Sequence, residues 1–107
     1  MKTEVVHIED CQNWEEAGRC LRIALDIVGA REVTVGYRLL TTSDEAAAVW
    51  FAGSPTILID GEDAFPTGGR TTDLACRVYY TDGQISRLPT LEQLIQVVRE
   101  HWQMTVA

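Results

Sequence analysis

The chain has 107 residues, the size of one domain, and we expect a single domain over residues 1–107. Nine Lys and Arg against sixteen Asp and Glu give a net charge of −7, which argues against binding to nucleic-acid phosphates. The longest uncharged apolar run, residues 46–52, is far shorter than the ~20 residues that span a membrane. The first residues carry an early acid and no apolar segment, so we expect a cytoplasmic protein with neither a secretion signal nor a membrane partner.

The first part of the chain predicts a strand followed by a helix. Residues 4–10 are rich in β-forming side chains and predict the strand. Residues 14–28 predict the helix, because their apolar side chains recur at three- and four-residue steps. Asn13 and Glu16 have the spacing of a capping box at its start, and Gly29 is typical of a left-handed helix end.

The middle of the chain predicts a second strand, a short helix and a third strand. Residues 31–41 alternate apolar and polar side chains, as a half-buried strand does. Thr42 and Glu45 form a second capping-box pattern, which predicts a helix that continues through Ala52. Residues 56–60 are almost continuously apolar, as expected of a strand that is covered on both faces.

The last part of the chain predicts a long loop, a fourth strand and a final helix. Residues 61–74 contain Gly and Pro among polar residues and predict the loop. Residues 75–81 predict the strand, with Cys76, Val78 and Tyr80 on one face. Asp82 and Gly83 indicate a turn, and the Thr90–Gln93 capping box opens the helix.

The element order β-α-β-α-β-β-α predicts an α/β sandwich with a four-stranded mixed sheet. A helix joins the first two strands, so we expect them to be parallel with a right-handed crossover. We expect the last two strands to form an antiparallel pair.

Two features carry the candidate chemistry. Cys11 lies between the first strand and the first helix, where backbone N–H groups stabilise a thiolate, so we expect a partly exposed thiol with a lowered pKa. Ser54, Pro55 and Thr56 lie directly ahead of the third strand and fit a sharp turn with a cis proline. If the third strand runs antiparallel to the first, Cys11 faces Pro55.

This combination resembles the thioredoxin-like superfamily, the thioredoxin- and glutaredoxin-like small domains. The match lies in the element order, in Cys11 after the first strand, and in Ser54-Pro55-Thr56 leading into the third strand. The resemblance implies that Cys11 is the nucleophile and Pro55 a cis proline opposite it, with Trp14, Ser54 and Thr56 as substrate-binding residues. The chain departs from the C-x-x-C motif of that superfamily, because Trp14 occupies the fourth position.

The other two cysteines are expected to be small core side chains that do not resolve Cys11. Cys20 lies nine residues further on and falls near the opposite face of the helix, beyond the ~7 Å between Cα atoms that a disulfide permits. Cys76 opens the predicted fourth strand, at the end of the sheet away from Cys11, unless the 61–74 loop carries it elsewhere. We therefore predict a monothiol oxidoreductase, with a thiol-containing protein or a small thiol such as glutathione as its partner.

Two other functions stay open. The missing second cysteine favours a non-catalytic thioredoxin-fold module that binds a partner or forms a homodimer. A single-cysteine reductase of an oxyanion requires arginines near the thiol, and Arg19 and Arg70 are the candidates. We predict no cofactor and no metal, because no Cys/His spacing fits a zinc site and Gly68-Gly69-Arg70 is not a phosphate-binding loop.

Overall fold

Three helices and a mixed sheet make up the computed structural model, which describes residues 1–9, 11–66, 70–81 and 83–106. The parts of our predictions that fall on Asp10, Gly68, Gly69 and Asp82 lie outside the described residues. The elements are β1 (Thr3–Ile8), α1 (Trp14–Val28), β2 (Val35–Leu40), α2 (Ser43–Ala47), β3 (Thr56–Ile59), β4 (Glu62–Asp63), β5 (Tyr79–Thr81), β6 (Gln84–Ser86) and α3 (Leu91–Val106).

The sheet has four strands in the order β2-β1-β3-β4. The strands β1 and β2 are parallel, as predicted, with Thr3 opposite Val35. The strand β3 runs antiparallel to β1, which is the condition under which Cys11 was expected to face Pro55, and Thr3 lies opposite Ile59. Because β3 is antiparallel to β1, the start of β3 lies beside the end of β1.

The predicted fourth strand over residues 75–81 is present only as β5, Tyr79–Thr81, and it does not join the main sheet. The strand that pairs with β3 is β4, and Ile59 lies opposite Glu62, so Asp60 and Gly61 form a two-residue hairpin loop. Both loop residues have a positive φ, 53° and 83°, which is the backbone that an Asp-Gly hairpin turn adopts. Strand β5 instead pairs with β6 in a separate two-stranded hairpin.

The two faces of the sheet bury different clusters. On the helical face, α1 and α3 pack over the sheet and bury Val5, Ala17, Leu21, Ala24, Leu25, Ala30, Ile57, Ile59, Ala64, Leu94 and Val98. On the opposite face, which we call the site face, the buried residues are Val6, Ile8, Cys11, Leu40, Ala46, Phe51 and Leu58. Adjacent residues of one strand enter opposite clusters because side chains alternate along a strand.

The start of α1 departs from its prediction. Asn13 is the N-cap residue but makes no side-chain capping bond, and Glu16 forms an ion pair with Arg19. The predicted capping box is therefore wrong. Gly29 ends α1 in the left-handed conformation at φ 100°, as predicted.

The Thr90–Gln93 capping box is complete, and Thr42 caps α2 as predicted, although the Glu45 carboxylate accepts the N–H of Thr41 rather than that of Thr42. The backbone N–H of Glu45 donates to the Thr42 hydroxyl at 3.1 Å, and that of Gln93 donates to the Thr90 hydroxyl, also at 3.1 Å. Helix α2 is shorter than predicted, because it ends at Ala47 rather than at Ala52. None of the helices in the described part of the chain is long and apolar enough to cross a membrane.

Candidate functional site

Cys11 lies where the end of β1 meets the turn that precedes β3. Its thiol donates a hydrogen bond to the Ser54 carbonyl, with 3.3 Å between Sγ and the oxygen. The Ser54–Pro55 peptide bond is cis, as predicted. The two features that the sequence singled out therefore meet. The predicted partial exposure of Cys11 is wrong, since the residue is only 2% exposed and belongs to the core of the site face.

The chain segment 75–77 runs alongside Ser54. The Ser54 N–H donates to the Ala75 carbonyl at 2.8 Å, and the Arg77 N–H donates to the Ser54 carbonyl at 2.8 Å. These bonds form a parallel β-bridge in which Cys76 is the residue opposite Ser54. The same serine is thus in contact with both cysteines.

Cys11 and Cys76 thus lie on the same turn, close enough for each thiol to shift the pKa of the other. Our expectation that Cys76 lies at the far end of the sheet is therefore wrong. It assumed that residues 75–81 pair with β3, but β4 takes that position. The segment after the loop is left to pair with the turn before β3, at the Cys11 end. Cys76 is exposed, so the prediction that it fills the core is also wrong.

The surroundings shift the pKa values of the two thiols in opposite directions. Burial alone raises the pKa of the Cys11 thiol, but hydrogen bonds with Ser54, Asn13 and Cys76, together with the charge of Arg87, outweigh it and lower that pKa. The pKa of the Cys76 thiol is raised, first by its hydrogen bond to Cys11 and then by burial. Cys11 is therefore the more acidic thiol of the pair and loses its proton first as the pH rises.

Gly53 allows segment 75–77 to approach the turn so closely. Its φ is 108°, and a Cβ atom built there would lie 2.9 Å from the Arg77 Cβ and 3.0 Å from the Arg77 Cα. Any side chain at this position would strain the backbone and push the segment away. The close approach at Gly53 is visible only in the tertiary structure, because Arg77 is distant from it in the chain.

A buried ion pair fixes the same segment from the other side. The Arg77 guanidinium donates to the Asp63 carboxylate at 3.0 Å, and each side chain is only 2% exposed. Arg77 also donates to the Phe65 carbonyl and lies over the Tyr79 ring, 4.6 Å from its centroid. Sequence analysis missed this pair, because Asp63 falls in the segment predicted to be a loop.

Tyr79 connects the ion pair to the cis proline. Its hydroxyl donates to the Pro55 carbonyl, and burial raises the pKa of the phenol far above its ordinary range. Pro55 is itself buried. The inward-facing residues of this segment are thus Arg77 and Tyr79, whereas Cys76, Val78 and Tyr80 face outward.

The hydroxyl groups of Ser54 and Thr56 bond within the protein. The Ser54 hydroxyl accepts from the Ile8 N–H at 3.1 Å, and the Thr56 hydroxyl accepts from the Ala52 N–H at 3.1 Å and donates to the Gly53 carbonyl. Both residues are fully buried. They hold the turn beside Cys11, and their role in binding a substrate stays a prediction.

Trp14 packs on the helical face, whereas Cys11 belongs to the site face. Its ring stacks on His7 with the centroids 4.3 Å apart, and it meets the edge of Tyr37. Burial lowers the pKa of His7. Cys20 likewise packs on the helical face, which agrees with the rejection of a Cys11–Cys20 bridge.

The cation that acts on the thiols is Arg87, which sequence analysis did not select. Of the two arginines proposed for an oxyanion site, Arg19 pairs with Glu16 on α1. Arg70 donates to the carbonyls of Ala47 and Val49, at 2.8 and 2.7 Å. Arg87 is far from both cysteines in the chain, and no local pattern marks it.

In comparisons with known proteins, no protein-family model, no curated protein sequence and no solved structure matches the chain. Over the described residues, no three or more His, Cys, Asp or Glu side chains are grouped so that they could hold a metal ion. The functional argument therefore depends on the geometry around Cys11 and Cys76.

Proposed function

We propose that this protein is a thiol–disulfide oxidoreductase of thioredoxin-like fold in which Cys11 and Cys76 form the reactive pair. The observation that carries this proposal is that one residue, Ser54, contacts both cysteines: its carbonyl accepts from the Cys11 thiol, and Cys76 lies opposite it in the β-bridge. The fold assignment is supported by the strand order β2-β1-β3-β4, by the parallel β1–β2 pair joined through α1, and by the cis Ser54–Pro55 bond.

The two cysteines have different roles in this proposal. Cys76 is exposed and meets the partner, whereas Cys11 is buried and is the more acidic thiol of the two. This replaces the monothiol mode that the sequence favoured, in which an outside thiol must resolve a mixed disulfide on Cys11. With Cys76 in contact, a resolving thiol is already present within the chain.

The exchange proceeds in two steps. Starting from the pair with Cys11 ionised, the Cys76 proton moves to the Cys11 thiolate, and the resulting Cys76 thiolate attacks a partner disulfide, whose S–S bond breaks and releases one partner thiolate. That thiolate takes up the proton from Cys11. The Cys11 thiolate then attacks the Cys76 sulfur, forms the Cys11–Cys76 disulfide and expels the second partner thiolate, which takes a proton from solvent. The partner gains two electrons, and the protein loses two.

Trapping of the intermediate tests this assignment. In a Cys20→Ser background, oxidised glutathione should convert the protein to a Cys11–Cys76 disulfide, which intact mass and peptide mapping detect. Adding Cys11→Ser should leave a persistent glutathione adduct on Cys76, because its resolving thiol is gone. The matched variant Cys76→Ser should form an adduct on Cys11 at least about tenfold more slowly, because Cys11 is buried.

The outcomes separate the proposal from its rivals. A fast adduct on Cys11 in the Cys76→Ser variant would restore the monothiol mode. Inert thiols in every variant would favour the non-catalytic binding or dimerisation module. That second function is itself supported by the burial of Cys11 and by the exposed apolar side chains of Tyr37 and Leu39 on the edge strand β2.

A further inference from the structure

The exposed thiol of Cys76 lies within a row of exposed apolar side chains. Leu74, Val78, Tyr80 and Ile85 are 38, 45, 65 and 67% exposed, and we call these four residues the apolar stripe. Tyr80 and Ile85 lie opposite each other in the β5–β6 hairpin, so the stripe continues from segment 74–80 onto β6. Contiguous exposed apolar side chains mark a surface that another molecule covers.

The stripe is exposed because two polar residues, Arg77 and Tyr79, occupy the buried positions of this segment. From Cys76 onward, side chains alternate outward and inward, and the inward side chains are those of Arg77 and Tyr79. The Asp63–Arg77 ion pair and the bond from the Tyr79 hydroxyl to Pro55 fix that orientation. Apolar side chains that a strand would ordinarily bury are therefore held in solvent, on both sides of the reactive thiol.

We propose that the stripe binds an extended polypeptide whose disulfide-bonded cysteine has apolar neighbours, and that it presents this cysteine to Cys76. This inference depends on the proposed function, because the thiol within the stripe identifies the occupant. Leu74 and Val78 lie two residues to either side of Cys76 and are exposed as it is, so an extended partner bonded to Cys76 has apolar surface to cover in both directions along the chain. The length of the stripe also suits an extended peptide, since residues 74–80 span ~20 Å at ~3.3 Å per residue. A peptide of about six extended residues covers that length.

A second exposed apolar patch provides an internal control. Ile23 and Ile27 are exposed on α1, and no cysteine lies between them in the chain. They share the composition of the stripe but lie on a different element from Cys76. Substitutions there change the exposed apolar surface by a similar amount and leave the proposed binding surface intact.

Exchange rates with matched peptides test the inference. We would use two six-residue peptides of equal net charge, each disulfide-bonded to the same chromogenic thiol. One has Leu and Val beside its cysteine, and the other has Ser and Asn. Oxidised glutathione serves as the small disulfide. The reduced Cys20→Ser protein should release the chromophore from the apolar peptide about tenfold faster, the size of effect that one well-buried aliphatic side chain gives.

The variants then locate the preference. Val78→Ser/Ile85→Ser should bring the two peptide rates within about twofold, whereas Ile23→Ser/Ile27→Ser should retain the preference. Equal peptide rates in the parent protein, or a preference lost equally in both double variants, would overturn the proposal that the apolar stripe binds the peptide. Neither result would contradict the proposed exchange at Cys11 and Cys76. A small disulfide that reacts as fast as the apolar peptide would make a small thiol the partner. If no disulfide reacts, the proposed function itself fails.

Discussion

The two faces of the sheet are held together by different kinds of interaction. On the helical face, regular apolar stripes of α1 and α3 pack against the sheet. On the site face, the five-residue helix α2 and irregular segments close over the sheet, and a buried ion pair and side-chain-to-backbone hydrogen bonds fix their positions. Both cysteines of the proposed pair lie on the site face. Apolar packing supplies the scaffold, and directional polar contacts position the thiols.

The largest expected effect comes from breaking the buried ion pair. Arg77→Met leaves the Asp63 carboxylate buried without its guanidinium, so we expect a loss of about 3–5 kcal/mol in the free energy of unfolding. The double variant Asp63→Leu/Arg77→Met removes both charges and should recover most of that loss. Urea denaturation measures both. A double variant as unstable as the single one would contradict the ion-pair explanation.

The matching change on the helical face is Leu94→Ala. Leu94 is fully buried between α3 and α1, and the cavity should cost about 2–5 kcal/mol of unfolding free energy. Unlike Arg77→Met, this variant leaves no buried charge without its partner. The same folded variant should still form the Cys11–Cys76 disulfide, as peptide mapping would report. Loss of disulfide formation in folded Leu94→Ala protein would mean that the two faces are not independent.

A smaller effect is expected at Gly53. Gly53→Ala forces a Cβ against the Arg77 backbone at a positive φ, so we expect about 1–3 kcal/mol of destabilisation by thermal or urea unfolding. Displacing segment 75–77 should also uncover Cys11 and speed its alkylation. Gly61→Ala is the matched control, since Gly61 also has a positive φ but no atom within 4 Å of an added Cβ. Faster alkylation in both variants would show a general loosening.

The smallest change concerns protonation. In a Cys20→Ser background, the two thiols should titrate as a pair in two separate steps, the pKa of Cys11 being lowered from its ordinary value and that of Cys76 raised. Cys76→Ala removes a hydrogen-bond donor to Cys11 and should raise the pKa of Cys11. Cys11→Ala removes the adjacent charge and should lower the pKa of Cys76. Ultraviolet thiolate absorbance follows both, and unshifted midpoints would show that the thiols do not interact.

The sequence by itself determined the elements whose signals are local. The apolar periodicity of α1, the left-handed Gly29, the Thr42 and Thr90 caps of α2 and α3, and the parallel pairing of β1 with β2 were all predicted correctly. The approach of Cys11 to the cis Ser54–Pro55 turn followed once β3 is antiparallel to β1, which was the condition set for it. Each of these depends on residues a few positions apart or on one strand direction.

Only the tertiary structure decided which strand completes the sheet and where Cys76 lies. An Asp60–Gly61 hairpin places β4 beside β3, and this displaces residues 75–77 onto the Ser54 turn. The sequence showed that side chains alternate along residues 76–80. The buried ion pair with Asp63 turns Arg77 inward together with Tyr79, and this leaves the face that contains Cys76 in solvent. Local patterns report what a residue prefers, whereas these outcomes depend on partners that are distant in the chain.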